Sequence, residues 1–361
     1  MTSSTIDELR AEIDALDATI LRLLNQRMSF SRQIGQSKNS LGQSVFDPDR
    51  EERVLARLRD LNDGPLPEIT LRAIYREIFS GSRLLQEPIT VAFFGPAGTY
   101  THEAARERFG RSLPFTACES ITEVFHEVAQ ARAQFGVVPI ENSIEGSVSE
   151  THDMLMTSTV GVCGEIAIRI SHTLMNLSGK MEDVKIVMSH PQALAQCRSW
   201  LARKLPGIPL QETSSTAVAA EKARADSRVA AIASETLGTD LGLKVIRKGI
   251  QDRQENITRF LVLGTLKPPP TGKDRTSIVF WTENEPGALF RILEKFSRRG
   301  INLSRIESRP EKGSMPWRYA FFVDLDGHRD DPQISECLAE IMKENRLVKV
   351  IGSFPKQTLL Q

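Results

Sequence analysis

The first forty residues carry a narrow apolar stripe that strongly constrains how this part of the chain can fold. Six apolar residues recur at alternating spacings of three and four, namely Ile6, Leu9, Ile13, Leu16, Ile20 and Leu23. This spacing predicts one long amphipathic helix with the seam of a coiled coil. Arg27 occupies the next position on the stripe, and Phe30 and Ile34 then resume it. A cation within an apolar face requires an anion, so Arg27 is a candidate ligand-binding residue.

Two further cations on the same helix restrict how that ligand could be held. Lys38 lies about 20° around the helix from Arg27 and roughly 16 Å along it, so both side chains could converge on one small molecule. Arg10 lies roughly 25 Å from Arg27 and about 100° off its face. Arg10 could therefore reach the ligand only from a second copy of the chain, which predicts an intertwined dimer.

Two more helices are predicted before residue 88. Asp47 and Pro48 form a helix start, and Pro65 and Pro67 break the chain before a third helix. Arg50 and Glu51 follow on the side that Asp47 approaches, and Ser82 and Gln86, four residues apart, lie on one face of the third helix. The alternative is a three-helix dimerisation arm whose charges are solvated. A DNA-binding arm is disfavoured, because residues 1–87 contain twelve Lys and Arg against fourteen Asp and Glu.

After residue 88, apolar strand patterns alternate with helix patterns. The predicted strands include ITVAFFG, FGVVPI, EIAIRI, KIVMSH, RVAAIA and ITRFLVLG. This alternation predicts parallel sheets in two lobes, with a ligand at the carboxyl ends of the strands. The turn in PAGTYTHEAA lacks the GK[ST] ending and the GxGxxG spacing, so it is a poor candidate for a phosphate-binding loop.

Polar side chains cluster where these strands end and where a helix begins. They are Glu141, Asn142, Ser143, His190, Ser214, Ser215 and Thr216, together with Thr258 and Arg259 at the mouth of the last strand. Each has a purely structural alternative as a helix cap, a hydrogen-bonded histidine or a loop carboxylate. Together they predict one cleft, with helix amides available to a carboxylate.

A stiff linker, KPPPTG at residues 267–272, separates a third segment. The pattern after it has the order βαββαβ, which predicts a ferredoxin-like fold, with a plain dimerisation domain as the alternative.

The overall composition argues against several classes of protein. Lys plus Arg and Asp plus Glu both number 46, so no net field favours nucleic acid or an anionic membrane. The four cysteines are scattered, which argues against a structural metal site or a disulfide framework and favours the cytosol. The first thirty residues are charged throughout, so neither a secretory signal nor a membrane anchor is expected.

The N-terminal motifs resemble the all-helical class of chorismate mutase. They are LRAEIDALD, LLNQR, Lys38, VFDPDREE and GSRLLQ. The resemblance implies that the carboxylates and ether region of chorismate are held by Arg27, Lys38, Arg50, Ser82, Gln86 and Arg10 of a second copy. It also implies that Asp47 and Glu51 lie at the hydroxyl and ether oxygens. A pericyclic rearrangement needs no covalent chemistry, so positioned cations and donors are enough.

The middle segment resembles the prephenate dehydratase domain in VAFFGPAGTYTHEAA, GVVPIENSIEGSV, SHPQALAQC, SSTAVAA and NITRF. The resemblance implies a two-lobed fold like that of periplasmic binding proteins, with Thr258 as the catalytic hydroxyl and Arg259 on a substrate carboxylate. It further implies a cleft lined by Glu141, Asn142, Ser143, Gln196, Ser215 and Thr216. The reaction expels a hydroxyl and carbon dioxide from prephenate, gives phenylpyruvate and requires no cofactor. Thr258 alone is a poor acid, so Glu141 is a possible proton source if its pKa is raised.

The last segment, ENEPGALFRILEKFSRRGINLSRIESRP, resembles the ACT regulatory domain. The resemblance implies two effector-binding turns, formed by Gly287, Ala288 and Leu289 and by Glu307, Ser308, Arg309 and Pro310. Phe290 departs from the familiar pattern, in which a smaller aliphatic residue follows the first turn.

The expected domains are a mutase at residues 1–87, a dehydratase at 88–266 and an ACT domain at 273–361. The expected protein is a cytosolic bifunctional enzyme that converts chorismate through prephenate to phenylpyruvate. L-phenylalanine is the expected inhibitor, and a homodimer or a tetramer of paired dimers is the expected assembly. The alternatives are arogenate as the dehydrated substrate and an amino-acid sensor without turnover.

Overall fold

The computed structural model describes residues 5–41, 45–282, 285–310, 319–344 and 347–357. They form two compact units: the first contains the chain up to residue 89 together with 109–114, and the second contains 90–108 and the chain from 115 onward. Three helices form the first unit, and they are α1 (Ile6–Ser40), α2 (Pro48–Asp60) and α3 (Glu68–Gln86). The three predicted helices are confirmed.

Side-chain caps determine where the first two helices begin. The Thr5 hydroxyl accepts a hydrogen bond from Glu8 N at 3.3 Å, and the Glu8 carboxylate accepts one from Thr5 N at 2.7 Å. This reciprocal capping box satisfies two backbone donors at the start of α1. Asp47 caps α2 in a simpler way, because its carboxylate accepts a hydrogen bond from Arg50 N at 3.0 Å.

One face of helix α1 packs against α3, and its apolar stripe is exposed. Gly35 lies against α3, where a Cβ atom would come within 2.7 Å of Gln86 Cβ and 2.8 Å of Gln86 Cα. Glycine therefore permits a close approach that alanine would prevent. The apolar stripe lies on an exposed part of the unit, with exposed fractions of 69% at Ile6, 48% at Leu9, 56% at Ile13, 61% at Leu16, 52% at Ile20 and 51% at Leu23.

The second unit begins with a lobe built on β1 (Val91–Phe94), α4 (Tyr100–Phe109), β2 (Phe115–Cys118), α5 (Ile121–Ala129), β3 (Phe135–Asn142), β4 (Gly146–Ser147), α6 (Ser149–Thr157) and β5 (Gly161–Arg169). A second lobe contains β6 (Thr173–Asn176), β7 (Ile186–Ser189), α7 (Pro191–Gln196), α8 (Arg198–Lys204), β8 (Leu210–Glu212), α9 (Thr216–Ala225), β9 (Val229–Ala233), α10 (Glu235–Asp240) and β10 (Lys244–Arg247). The chain then returns to the first lobe as β11 (Ile257–Gly264).

The prediction of parallel sheets is wrong in part, because both sheets are mixed. The first has the order β2-β1-β3-β11-β5 with β4 beside β3, and β11 is antiparallel to both of its neighbours. The second has the order β10-β6-β9-β7-β8, and β6 is antiparallel to β9 and β10. The direction of β11 follows from the chain path. Strand β5 leaves the first lobe at the edge where β11 enters it, so the two run in opposite directions.

The C-terminal domain contains β12 (Asp274–Trp281), α11 (Ala288–Arg298), β13 (Leu303–Pro310), β14 (Tyr319–Asp326), α12 (Pro332–Glu344) and β15 (Val348–Pro355). Its antiparallel sheet has the order β13-β14-β12-β15. The predicted βαββαβ order is confirmed.

This C-terminal domain packs directly on the first lobe. Phe322 and Ile351 share a buried apolar cluster with Leu155 and Val162. At Gly352, a Cβ atom would come within 2.0 Å of the Val162 carbonyl oxygen, so the backbones of β15 and β5 touch where no side chain intervenes.

Candidate active sites

In the helical unit, Arg27 is held by the side chains of α3. Its NH1 donates to Ser82 Oγ at 2.8 Å, and its guanidinium lies 5.5 Å from the centre of the Phe79 ring. Ser31 Oγ donates to the same Ser82 oxygen at 3.3 Å. Burial lowers the pKa of Arg27, with Tyr75 and Glu51 acting in the opposite direction. The structure therefore brings Arg27 and Ser82 together as predicted, in a partly desolvated environment that suits an anion.

The other predicted mutase residues occupy the ends of the three helices. Arg10 lies near the start of α1, where it pairs with Asp7 at 3.4 Å, and Lys38 lies in its last turn. Because α1 is continuous from Ile6 to Ser40, Arg10 and Lys38 lie near opposite ends of one rod. Gln86 is the last residue of α3, and Asp47 and Arg50 form the start of α2.

Arg83 is a functional candidate that sequence reasoning missed. Its guanidinium donates to both oxygens of Glu51, at 2.9 and 2.8 Å, and to the Phe109 carbonyl at 2.8 Å. It also lies 5.1 Å from the centre of the Phe46 ring and is 3% exposed. Arg83 therefore fixes Glu51, one of the residues predicted to face chorismate. The available signal was its place beside Ser82 within GSRLLQ.

In the two-lobed domain, the end of β3 pairs with the start of β11. Asn142 and Thr258 are partners in the antiparallel register, and Asn142 Nδ2 donates to Thr258 Oγ1 at 2.8 Å. Asn142 Nδ2 also donates to Asn256 Oδ1 at 2.7 Å. Asn256 Nδ2 in turn donates to Gln196 Oε1 at 3.0 Å. The structure thus links three predicted residues, Asn142, Gln196 and Thr258, through Asn256, which was not predicted.

Arg259 and Glu141 lie on the opposite face of the same two strands. Arg259 NH1 lies 2.8 Å from Asp324 Oδ2 and 3.4 Å from Glu165 Oε2, and its NH2 lies 3.5 Å from Glu141 Oε2. Burial opposes the charge on Arg259, but Asp324 and Glu165 outweigh it, and the pKa of Arg259 is raised. Arg305 approaches Glu141 from the C-terminal domain at 3.2 Å.

The prediction of one cleft for all of these residues therefore needs correction. Successive side chains of a strand point to opposite faces, so Thr258 and Arg259 cannot share a site formed on one face of β11. The same alternation separates Asn142 from Glu141 on β3. The structure divides the predicted set into a cleft group around Thr258 and a buried ion-pair group around Arg259.

Three other predicted residues stabilise the local backbone, namely Ser143, Ser215 and Thr216. Ser143 Oγ donates to the Glu255 carbonyl at 3.2 Å and accepts from Ile257 N at 3.0 Å, which ties the entry of β11 to the end of β3. Ser215 caps α9 by accepting from Val218 N at 3.1 Å, and Thr216 is the first residue of that helix. The predicted helix start is confirmed.

The two predicted effector motifs lie in the C-terminal domain. Gly287 has φ 80° and directly precedes α11, in which Ala288 is buried and Leu289 partly buried. Glu307 and Arg309 lie on β13 and face the first lobe, whereas Ser308 and Pro310 are exposed. Ser147 Oγ donates to Glu307 at 2.5 Å, and Arg309 donates to Ser149 Oγ at 2.5 Å. Two of the four residues of the second motif, Glu307 and Arg309, therefore contact the first lobe.

Within the described ranges, no helix is both long and apolar enough to cross a membrane. In the same part of the chain, no group of three or more His, Cys, Asp or Glu side chains is arranged to hold a metal ion.

Comparison with known proteins reproduces these three segments. A family model for chorismate mutase type II matches residues 9–87, one for prephenate dehydratase matches 91–268 and one for the ACT domain matches 276–341. The bifunctional chorismate mutase/prephenate dehydratase of Aquifex aeolicus (strain VF5) is 45% identical over 98% of this chain and 99% of its own. This chain belongs to the bifunctional chorismate mutase/prephenate dehydratase family.

A second related enzyme and a solved structure agree with this assignment. The bifunctional chorismate mutase/prephenate dehydratase of Neisseria gonorrhoeae (strain ATCC 700825 / FA 1090) is 41% identical over 99% of this chain and 100% of its own. The crystal structure of the Arthrobacter aurescens prephenate dehydratase in complex with L-Phe is 33% identical, with a TM-score of 0.68. It covers 75% of this chain and 92% of its own. The predicted family, and the fold of a helical domain followed by a two-lobed domain and an ACT domain, are confirmed.

Proposed function

We propose that this member of the family rearranges chorismate to prephenate in its helical unit and converts prephenate to phenylpyruvate in its two-lobed domain. The observation that carries the second activity is the position of Thr258 Oγ1, which accepts a hydrogen bond from Asn142. A hydroxyl has one proton and two lone pairs, so this bond leaves its proton available to a ligand. Among the described residues, none accepts a hydrogen bond from Thr258 Oγ1.

In the mutase reaction, the role of the protein is to hold a flexible dianion in its reactive shape. Arg27 and Lys38 supply fixed charge, Ser82 orients Arg27, and Arg83 holds Glu51. Positioned donors of this kind lower the barrier by alignment and by stabilising charge that develops on the ether oxygen. Asp47, Arg50 and Gln86 complete the proposed chorismate site from the neighbouring helix ends.

We place Arg10 of a second copy in the same site. The exposed stripe on α1 supports this proposal, because its six large apolar side chains are each at least 48% exposed. An exposed row of large apolar side chains of this kind is typical of a protein interface. Sedimentation of the full chain at micromolar concentration tests the assembly, and a monomer would refute it.

In the dehydratase reaction, the ring hydroxyl must receive a hydrogen bond as it departs and the carboxylate leaves as carbon dioxide. Thr258 Oγ1 donates that bond. The amides at the start of α9, beside Ser215 and Thr216, suit a substrate carboxylate. Glu145 is the carboxylate joined to the cleft group, since Gln196 Nε2 donates to it at 3.3 Å. We therefore propose that Glu145, in place of Glu141, is the proton source: its carboxylic acid form gives one proton to the departing hydroxyl, which leaves as water.

Arg259 and Glu141 take a supporting role in this proposal. Their ion pair links β3 to β11 on the face opposite Thr258, and it connects these strands to Asp324 and Arg305 of the ACT domain. L-phenylalanine is the proposed inhibitor. The ACT match and the L-Phe complex of the Arthrobacter relative support this assignment. A cytoplasmic location is also proposed, supported by four cysteines that are all buried and free.

The test is to incubate the purified chain with chorismate and to follow prephenate and phenylpyruvate, with and without L-phenylalanine. Thr258→Val preserves side-chain shape and removes the hydroxyl, so prephenate should accumulate and dehydration should fall by at least about a hundredfold. Mutase turnover by the same sample serves as the internal control. Phenylpyruvate formed by Thr258→Val at the rate of the unchanged protein would refute the role of Thr258.

A further inference from the structure

The hydrogen bonds at Thr258 continue beyond the predicted site to a buried histidine. In order, the chain of side chains runs through Thr258, Asn142, Asn256, Gln196, His172 and Tyr100. It crosses from the first lobe to the second and back, and His172 itself is 3% exposed. Neither His172 nor Tyr100 belongs to the set of residues predicted from the sequence.

The orientation of the first amide is determined by the backbone. Asn142 Oδ1 accepts hydrogen bonds from Ile144 N at 3.0 Å and from Glu145 N at 3.1 Å. The NH₂ group of Asn142 must therefore face Asn256 and Thr258, and its two protons are both used there. As a result, Thr258 Oγ1 is an acceptor toward Asn142 and its own proton points elsewhere.

The next two amides follow from the first. Asn256 Oδ1 accepts from Asn142, so its NH₂ group faces Gln196 Oε1 at 3.0 Å. Gln196 Nε2 donates to Glu145, which leaves Gln196 Oε1 as an acceptor for both Asn256 and His172. A flip of Gln196 would set its NH₂ group against that of Asn256, so Gln196 Oε1 must also face His172, and His172 supplies the second donor that holds Gln196 in this orientation.

His172 is suited to make that contact. Its Nε2 lies 2.9 Å from Gln196 Oε1, and its Nδ1 lies 3.2 Å from the oxygen of Tyr100. The Tyr100 hydroxyl donates to the Ser171 carbonyl at 2.9 Å. Only a ring protonated at Nε2 can donate to Gln196 Oε1. Burial lowers the pKa of His172, which favours the neutral ring. With its one proton on Nε2, this ring has no proton on Nδ1. Side-chain amides do not pass protons along such a series, which means that the series orients groups and does not relay protons.

We propose that His172 is a positioning residue for the Thr258 hydroxyl, acting through the amides of Gln196, Asn256 and Asn142. The proposal rests on the dehydratase function proposed above. It predicts that a donor at the position of His172 Nε2 is needed to keep the Thr258 proton directed at the departing hydroxyl.

Two polar substitutions at one position test this role. Glutamine places an NH₂ group near the position of Nε2, whereas asparagine places one near Nδ1 and cannot reach Gln196. His172→Gln should retain kcat for prephenate to within roughly a factor of three, which is the effect of one weakened hydrogen bond. His172→Asn should lower kcat by about tenfold to a hundredfold, as expected for a misplaced donor, with a smaller change in KM. Mutase activity of each variant controls for enzyme concentration.

Two further measurements separate positioning from general destabilisation. In an Asn256→Ala background, His172→Asn should cause little additional loss of kcat, because the series is already broken. Nitrogen-15 NMR of the unchanged protein between pH 6 and 8 should show the neutral His172 ring protonated at Nε2. Protonation at Nδ1 would overturn the proposal without any variant.

The outcomes distinguish this proposal from the function on which it rests. If Thr258→Val retains dehydratase activity, the assignment of Thr258 is wrong regardless of His172. If Thr258→Val is inactive while His172→Asn has the kcat of the unchanged protein, only the positioning role is wrong. Equal losses of kcat in His172→Gln and His172→Asn would also overturn it, since the position of the donor would then not matter.

Discussion

The contact between the ACT domain and the dehydratase domain should weaken as the pH falls, because a buried histidine lies within it. His152 Nδ1 lies 2.9 Å from the Val148 carbonyl, so Nδ1 carries the proton of the neutral ring and Nε2 accepts from Arg305 at 3.1 Å. Its ring meets Phe322 edge-on, with centres 4.7 Å apart. Glu307, at 3.5 Å, favours the charged ring, whereas Arg305 and Arg309 oppose it.

Burial, the largest of these effects, lowers the pKa of His152 from 6.5 to about 4. The folded state therefore binds this proton less readily than the unfolded chain, and stability is lost as the pH falls below the unfolded value. The contribution is fully present above about pH 6.5 and declines toward pH 4. Over the interval from pH 8 to pH 5, the loss amounts to about 2 kcal/mol. For a unit of this size, that corresponds to a decrease of roughly 5 °C in Tm.

The assay is urea unfolding of the full chain at pH 8 and pH 5, and the quantity measured is the free energy of unfolding of the second unit. His152→Gln keeps an oxygen acceptor for Arg305 but has no group that titrates in this range. The unchanged protein should lose about 2 kcal/mol more than His152→Gln between the two pH values. His172 contributes equally to both proteins and cancels in the difference. His126→Gln, at an exposed position on α5, is the matched control and should behave like the unchanged protein. The reasoning is refuted if His152→Gln shows the same pH dependence as the unchanged chain.

Two other substitutions follow from the geometry of the sites. Gly35→Ala would place a Cβ atom 2.7 Å from Gln86 Cβ, so it should separate α1 from α3, destabilise the helical unit by about 1–3 kcal/mol and lower kcat/KM for chorismate. Gly64→Ala, where a Cβ atom meets nothing within 4 Å, is the control, and an equal effect of both changes on mutase activity would contradict this reading. Glu145→Gln should lower kcat for prephenate by about a hundredfold, whereas Glu141→Gln should leave it within severalfold. The reverse order in a prephenate assay would restore Glu141 as the proton source.

Much of the helical unit could be predicted from local sequence, because its signals are short in range. The stripe on α1 and the cap at Asp47 depend only on spacing and residue type. The buried pair of Arg83 and Glu51 could not be predicted in this way. It depends on how α2 meets α3, and on Phe109, which belongs to the same unit although it follows Arg83 by 26 residues.

The sheets of the second unit show where periodicity gives an incomplete answer. Alternating strands and helices indicate parallel pairing, but they do not reveal that the chain leaves the first lobe by β5 and returns by β11. That return makes β11 antiparallel, and it aligns Thr258 with Asn142. The pairing depends on chain path over more than a hundred residues, so no local pattern contains it.

The separation of Thr258 from Arg259 is different, because the sequence does contain the necessary signal. The two residues are adjacent, and a strand directs adjacent side chains to opposite faces. Asn256 and Thr258, two residues apart, are the pair that a strand places on one side. The same strand therefore presents a hydroxyl to the cleft and a guanidinium to the ACT domain, where Asp324 holds it at 2.8 Å. Asp324 pairs with Arg259, and one peptide unit separates Arg259 from Thr258. Any shift of the ACT sheet that moves Asp324 therefore acts on the backbone that carries Thr258.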